Sequence, residues 1–153
     1  MPELPEVETV RSAIESQMKG LVINKVIISD KKMRWPIPQD LPEGITGGVI
    51  KGVRRRAKYL LIDIDMAHDE KLRLSGLPKE NGEEHKGIEW CLLIHLGMSG
   101  SVRIYPPDHN IPKQQKHDHL IIRAGVPHLS KGQEAALTQM VLNDPRRFGG
   151  AQL

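Results

Sequence analysis

The chain opens Met-Pro-Glu. A small residue at the second position allows the initiator methionine to be removed, which leaves Pro2 with a free secondary amine. An α-amino group titrates near about 7.7–8.0, far below a lysine, so part of it is neutral and nucleophilic at physiological pH. A secondary amine condenses with an aldehyde-level carbon to give an iminium ion. Glu3 stands beside it, suited to proton transfer or to stabilising a developing cation. The bland alternative is a proline near a helix start.

Other residues share this chemical interest. Lys51, Arg54, Arg55, Arg56 and Lys58 place five cations within eight residues, and Arg146-Arg147 adds a pair near the end. Such clusters form either a solvated face or a polyanion-binding surface. Phe148 is the sole phenylalanine. It follows the two arginines, with Asp144-Pro145 before and Gly149-Gly150 after, which predicts an exposed loop tip. Met98 lies between Gly97 and Ser99-Gly100, in a turn, and reads either as a contact residue or as a core gap-filler. His117-Asp118-His119 would place two imidazoles on one side of a strand. That admits a metal site, although no cysteine or acidic partner stands at ligand spacing. Cys91, within an apolar run, reads as a buried small hydrophobe.

The elements that must position these residues follow from periodicity. Val7, Val10, Ile14 and Met18 form one helical stripe, with Glu8, Arg11 and Glu15 on the other face. Pro5 suits the first turn, Glu6 and Glu8 the positive end of the helix dipole, and Gly20 the stop. Short apolar or alternating runs then predict strands over 21–29, 48–53, 59–64, 90–96, 101–105, 119–123 and 138–143. One helix and about seven to eight strands predict a mostly β, α+β domain, a two-sheet sandwich or flattened barrel. Residues 66–88 and 106–117 read as mobile surface loops. The stretch 149–153 carries no recognisable closing element.

Composition bounds the alternatives. The 153 residues make about one domain by the usual prior of roughly 100–200 residues. A hydrophobic share of 39% and a charged share of 27% fit a globular domain rather than a disordered one. No apolar run approaches the roughly 18 residues of a membrane helix, and the amino terminus is no secretory signal. One cysteine excludes an internal disulfide and a multi-cysteine zinc site within these residues, and points to a reducing, cytoplasmic compartment. The net charge of +3, from 22 basic and 19 acidic residues, points only weakly to nucleic acid.

Four stretches, taken together, resemble the Fpg branch of the formamidopyrimidine-DNA glycosylase/endonuclease VIII family. They are Pro2-Glu3-Leu4-Pro5-Glu6-Val7-Glu8-Thr9, Arg55-Arg56-Ala57-Lys58-Tyr59-Leu60-Leu61, His95-Leu96-Gly97-Met98-Ser99-Gly100 with Lys116-His117-Asp118-His119 after it, and Asp144-Pro145-Arg146-Arg147-Phe148-Gly149. They fall in the family's order, and Leu4 favours this branch over the other. The resemblance implies base excision repair by a bifunctional glycosylase/AP lyase that removes oxidised purines, 8-oxoguanine and formamidopyrimidines. Pro2 matches the Schiff-base nucleophile at the sugar C1′. Glu3 matches the acid/base that assists ring opening before β,δ-elimination, and Glu6 a supporting acid. Lys58, His117 and Arg147 match phosphate contacts. Met98, Arg146 and Phe148 match residues that fill the gap left by the flipped nucleotide. The implied partner is damaged double-stranded DNA, bound by a monomer in the bacterial cytoplasm.

The sequence departs from the family pattern in extent. The helix–two-turn–helix module and the four-cysteine zinc finger are absent, so no metal or cofactor is expected in residues 1–153, which read as the catalytic N-terminal domain alone. The segments 66–88 and 124–137 are longer than the family's hairpins. Two alternatives stay open: a non-catalytic DNA-binding module, and an inactive truncated remnant.

Overall fold

The structure is a computed structural model, and it describes residues 4–29, 37–66, 89–96, 100–107, 116–126, 137–144 and 150–152. The chain order is α1 (Leu4–Met18), β1 (Val22–Ile28), α2 (Leu41–Ile45), β2 (Val49–Arg56), β3 (Tyr59–Asp65), β4 (Glu89–His95), β5 (Ser101–Tyr105), β6 (Asp118–Gly125), β7 (Thr138–Asn143) and β8 (Gly150–Gln152).

Helix α1 forms as its apolar stripe requires. Val7, Ile14 and Met18 are buried and Val10 packs against the same cluster. Burying a side chain of this size contributes roughly 1.5–3 kcal/mol. Gly20 stops the helix with φ of 86°, in the left-handed region that glycine enters without a Cβ clash. Its amide then donates to the Ile50 carbonyl at 2.7 Å, which ties the end of α1 to β2. The short helix α2 carries Pro42 in its first turn and buries Leu41 and Ile45. Five residues leave no periodic signal, so the sequence does not predict it.

The eight strands pair in the order β5-β7-β6-β1-β2-β3-β4-β8, every pairing antiparallel. The link between β1 and β2 is narrow, with Val22 opposite Val49 as the register pair. Backbone bonds from Ile23 to Gly48 and from Gly47 to Ile23, both 2.8 Å, extend it. The sheet therefore consists of two four-stranded halves hinged at one corner. Both halves and α1 contribute to one core: Ile23, Leu120 and Met140 from one half, Val53, Leu60 and Ile94 from the other. Helix α1 contacts β2 and β3 on one side and β5 and β7 on the other. This is the expected sandwich, hydrogen-bonded across one edge.

Two expectations are corrected in detail. Residues Gly150–Gln152 do add a closing strand, β8, which pairs with Leu93–His95 of β4. Three residues, the first a glycine, give no alternation to read. Strand β2 runs on through Arg56, past the apolar run that ends at Val53, because its partner β3 supplies a full antiparallel ladder. The expected loops at 66–88, 106–117 and 124–137 fall mainly outside the described residues.

Gly48 sits where the two halves meet. A Cβ there would collide with the Ile64 side chain and the Met66 sulfur. Gly48→Ala is expected to destabilise the fold by about 1–3 kcal/mol through overpacking, as measured by urea unfolding.

Candidate nucleic-acid interface and active site

Strand direction decides which connections share an end of the sandwich. Arg56 faces Tyr59 across the turn Ala57-Lys58. Tyr59 in turn faces His95, and His95 faces Gly150. In the other half, Asn143 faces both Ser101 and Asp118. The turn at 57–58, the described residues that bound 97–99 and 145–149, and His117 just before β6 therefore all lie at one end. Helix α1 brings its first turn to the same place. It lies antiparallel along β2, with Glu8 at Arg55, Arg11 at Val53 and Gly20 at Ile50.

An ion network fixes that arrangement. Arg11 Nε donates to Glu8 at 2.7 Å, and its Nη1 donates to Glu15 at 2.7 Å and to the Val53 carbonyl at 3.1 Å. Arg55 Nε donates to the second oxygen of Glu8 at 2.9 Å. The hydrogen bonds from Arg11 and then Arg55 hold the Glu8 carboxyl below its usual range, and Arg11 does the same for Glu15. Exposed pairs of this kind contribute little stability each. Their importance here lies in fixing the angle and register of α1.

A second set of bonds anchors the connection after β7. His119 is buried, and its Nε2 donates to the Asp144 carbonyl at 2.8 Å. The Asp144 amide donates to the His117 carbonyl at 3.0 Å. Asn143 Nδ2 donates to Asp118 Oδ1 at 2.8 Å. The start of the segment that carries Arg146, Arg147 and Phe148 is thus locked to His117 and the start of β6. Nearby, the Gly100 amide donates to the Leu96 carbonyl at 2.8 Å. A Cβ on Gly100 would overlap the Leu96 backbone.

Among the proposed site residues, Glu6 is exposed on the first turn of α1, Lys58 is half-buried in the β2–β3 turn, and His117 is half-buried before β6. All three belong to the same end. Pro2, Glu3, Met98, Arg146, Arg147 and Phe148 lie outside the described residues, but the described residues that flank each of them are at this end too.

Three readings of the sequence change. The cationic run 51–58 is not a uniformly free basic face. Lys51 pairs with Glu89 at 2.6 Å, Arg54 with Asp63 at 2.7 Å and Arg55 with Glu8. Opposed acids on β3, β4 and α1 are far away in sequence, so charge counting misses them. Cys91 is only half-buried, with its sulfur 3.8 Å from Arg54 Nη2. It faces outward on β4 beside Asp63, and burial still pushes its thiol up. His119 does not share the setting of His117. A register irregularity between Asp118 and Leu120 separates them, and its imidazole serves the Asp144 backbone.

The sequence reading also passes over His95. Its ring lies 5.0 Å from that of Tyr59, directly beside the Lys58 turn. The available signal was its place in His95-Leu96-Gly97-Met98, one strand length from Lys58-Tyr59. A separate concavity of about 320 Å³ lies at the opposite end, lined by Val22, Asn24, Thr46 and Val126 among others, with no titratable group among its described lining residues.

Residues 1–151 match the sequence profile of the formamidopyrimidine-DNA glycosylase N-terminal domain. The chain belongs to that family. It is 41% identical over 149 residues to the formamidopyrimidine-DNA glycosylase of Thioalkalivibrio sulfidiphilus, covering 97% of this chain and 42% of the relative. It is 35% identical to that of Roseobacter denitrificans, covering all of this chain and 44% of the relative. Among solved structures, it resembles the Lactococcus lactis enzyme bound non-covalently to DNA with an AP site, at 28% identity and a TM-score of 0.65, over 97% of this chain and 44% of that one. A MutM complex with DNA containing carbocyclic 8-oxo-G matches with a TM-score of 0.65 at 27% identity, over 98% and 43%. The chain spans less than half the length of these relatives.

Two outcomes test the framework. Glu8 has a lowered carboxyl pKa in the folded state, so its contribution is complete above the unfolded value near about 4.3 and fades as pH falls through the lowered folded value. The stability difference between wild type and Glu8→Gln is therefore expected to be constant above about pH 5 and to shrink as pH falls below the unfolded value of about 4.3, as read by urea titrations across pH. His119→Leu, which strips a buried carbonyl of its donor, is expected to lose about 1–3 kcal/mol in the same assay, with partial recovery in His119→Gln.

Proposed function

We propose that the chain is the catalytic N-terminal domain of a base excision DNA glycosylase with AP lyase activity, acting on oxidised purines in double-stranded DNA. The observation that carries this reading is the convergence at one end of the sandwich of the first turn of α1, the Lys58 turn, His117 at the start of β6, and the described residues that flank Met98 and Arg146–Phe148. Family membership supports the same chemistry.

In this reading Met1 is removed and the Pro2 amine attacks the sugar C1′, forming a C–N bond while the damaged base departs. The ring C–O bond then opens, with Glu3 supplying the proton to the sugar oxygen and Glu6 supporting the charge around it. The resulting iminium acidifies the C2′ hydrogen, so loss of that proton expels the 3′ phosphate in β-elimination, and δ-elimination follows at the 5′ side. Lys58, His117 and Arg147 hold phosphates, and His95 joins them on the strength of its place beside Tyr59 and the Lys58 turn. Met98, Arg146 and Phe148 fill the vacated stack. Extruding a nucleotide costs a few kcal/mol, and apolar insertion offsets part of it.

The domain acts as a monomer in the cytoplasm, and none of its own residues is assigned a metal or cofactor. Any second half of the DNA cleft, and the family's zinc finger, belong to the remaining length of the relatives.

Borohydride reduction in the presence of abasic DNA is expected to trap a covalent adduct on Pro2, located by peptide mapping. An adduct on a lysine would sink the assignment, and salt-dependent binding without trapping would favour the non-catalytic DNA-binding module. With few phosphate contacts in this domain, log affinity is expected to fall with log salt at a slope of only about −2 to −3, and Lys58→Ala to reduce that slope by about 0.9.

A further inference from the structure

Ala57 has φ of 53°, the one positive value among the described non-glycine residues. An L side chain in that region is strained, and such strain persists only where neighbouring structure imposes it. Ala57 directly precedes Lys58 in the two-residue turn between Arg56 and Tyr59.

Arg55 supplies the restraint. Its Nη1 donates to the Ala57 carbonyl at 3.0 Å, while its Nε donates to Glu8 at 2.9 Å. Its side chain is 31% exposed, so the guanidinium is partly sheltered from competing water. Glu8 is itself held by Arg11, which also grips the Val53 carbonyl. One planar group therefore joins the first turns of α1 to the turn that carries Lys58. A lysine carries a compact ammonium on a flexible stem and cannot reproduce the planar, rigid fork. An ordinary ion pair between helix and strand would need no bond to Ala57.

We propose that Arg55 is a positioning residue: it sets Lys58 at a fixed place relative to the amino terminus of α1, so that the phosphate contact and the nucleophile address the same nucleotide. The proposal rests on the functional reading given above. Arg55 touches no substrate in it and acts through Lys58.

The test is a double-mutant cycle on the 153-residue chain, read as affinity for a duplex containing a tetrahydrofuran abasic analogue. Arg55→Lys keeps a cation beside Glu8 but loses the fork. It and Lys58→Ala are each expected to weaken binding by about fivefold, with the double variant no weaker than Lys58→Ala alone, since contacting residues that act as a unit are not additive. Losses that multiply would overturn the proposal, because Arg55 would then act independently of Lys58. Limited trypsin digestion reads the turn without DNA. Cleavage after Lys58 is expected to rise about tenfold in Arg55→Lys and in Arg55→Met through local opening, with the unfolding midpoint of Arg55→Lys unchanged. Unchanged cleavage would also overturn it. If the wild-type chain fails to bind the analogue, the functional reading falls, and the digestion alone decides whether Arg55 holds the turn.

Discussion

The structure depends on the lay of α1 along β2. Its apolar stripe buries Val7, Ile14 and Met18 between the two halves of the sheet, and its polar face meets β2 through Arg11, Glu8 and Arg55. The two kinds of contact do different work. Burial supplies the free energy, because buried apolar groups are worth more than exposed ion pairs. The ion pairs set register, since guanidinium–carboxylate and guanidinium–carbonyl bonds are directional where apolar contact is not. A one-turn slide of the helix would move the amino terminus by about 5.4 Å and separate it from the Lys58 turn.

The opposite half is organised by a different device. Asp118, His119, Asn143 and Asp144 form a buried polar group where β6 and β7 meet the shared end. Buried polar atoms generally need partners; here His119 Nε2 meets the Asp144 carbonyl and Asn143 Nδ2 meets Asp118, while His119 Nδ1 has none among the described residues. The arrangement restricts how the chain leaves β7. Rigid elements thus support the ends of loops whose chemistry would require accurate placement, as in binding sites generally.

Much of this was legible in the residues. The period of Val7, Val10, Ile14 and Met18 marks a helix, and the short apolar run in Tyr59–Ile64 marks a strand. The sandwich follows from one helix and many short strands. The proposed chemistry rests on residue types unusual for their position, as with Pro2-Glu3 and Phe148. What local pattern lacks is pairing across distance. Arg54 and Arg55 read as free cations until β3 and α1 bring Asp63 and Glu8 beside them. His119 reads as twin to His117 until the register irregularity and the Asp144 carbonyl distinguish them. Strand β8 has too few residues to show a period at all.

The topology has a consequence for how the protein acquires its shape. The helix that bears the amino terminus is synthesised first, yet its partner Arg55 lies 47 positions away. Asp144 and His119 are 25 apart, and β8 closes on β4 across more than fifty residues. Contacts of such long sequence separation require loop closure before they repay it, and they place the fold among slow-folding, high-contact-order topologies. Early in folding the amino-terminal helix has no β2 to lie on. On the proposed function, the end of the chain that would carry the nucleophile is therefore organised late, and a nascent or half-folded chain would carry that amine without the surroundings that direct it.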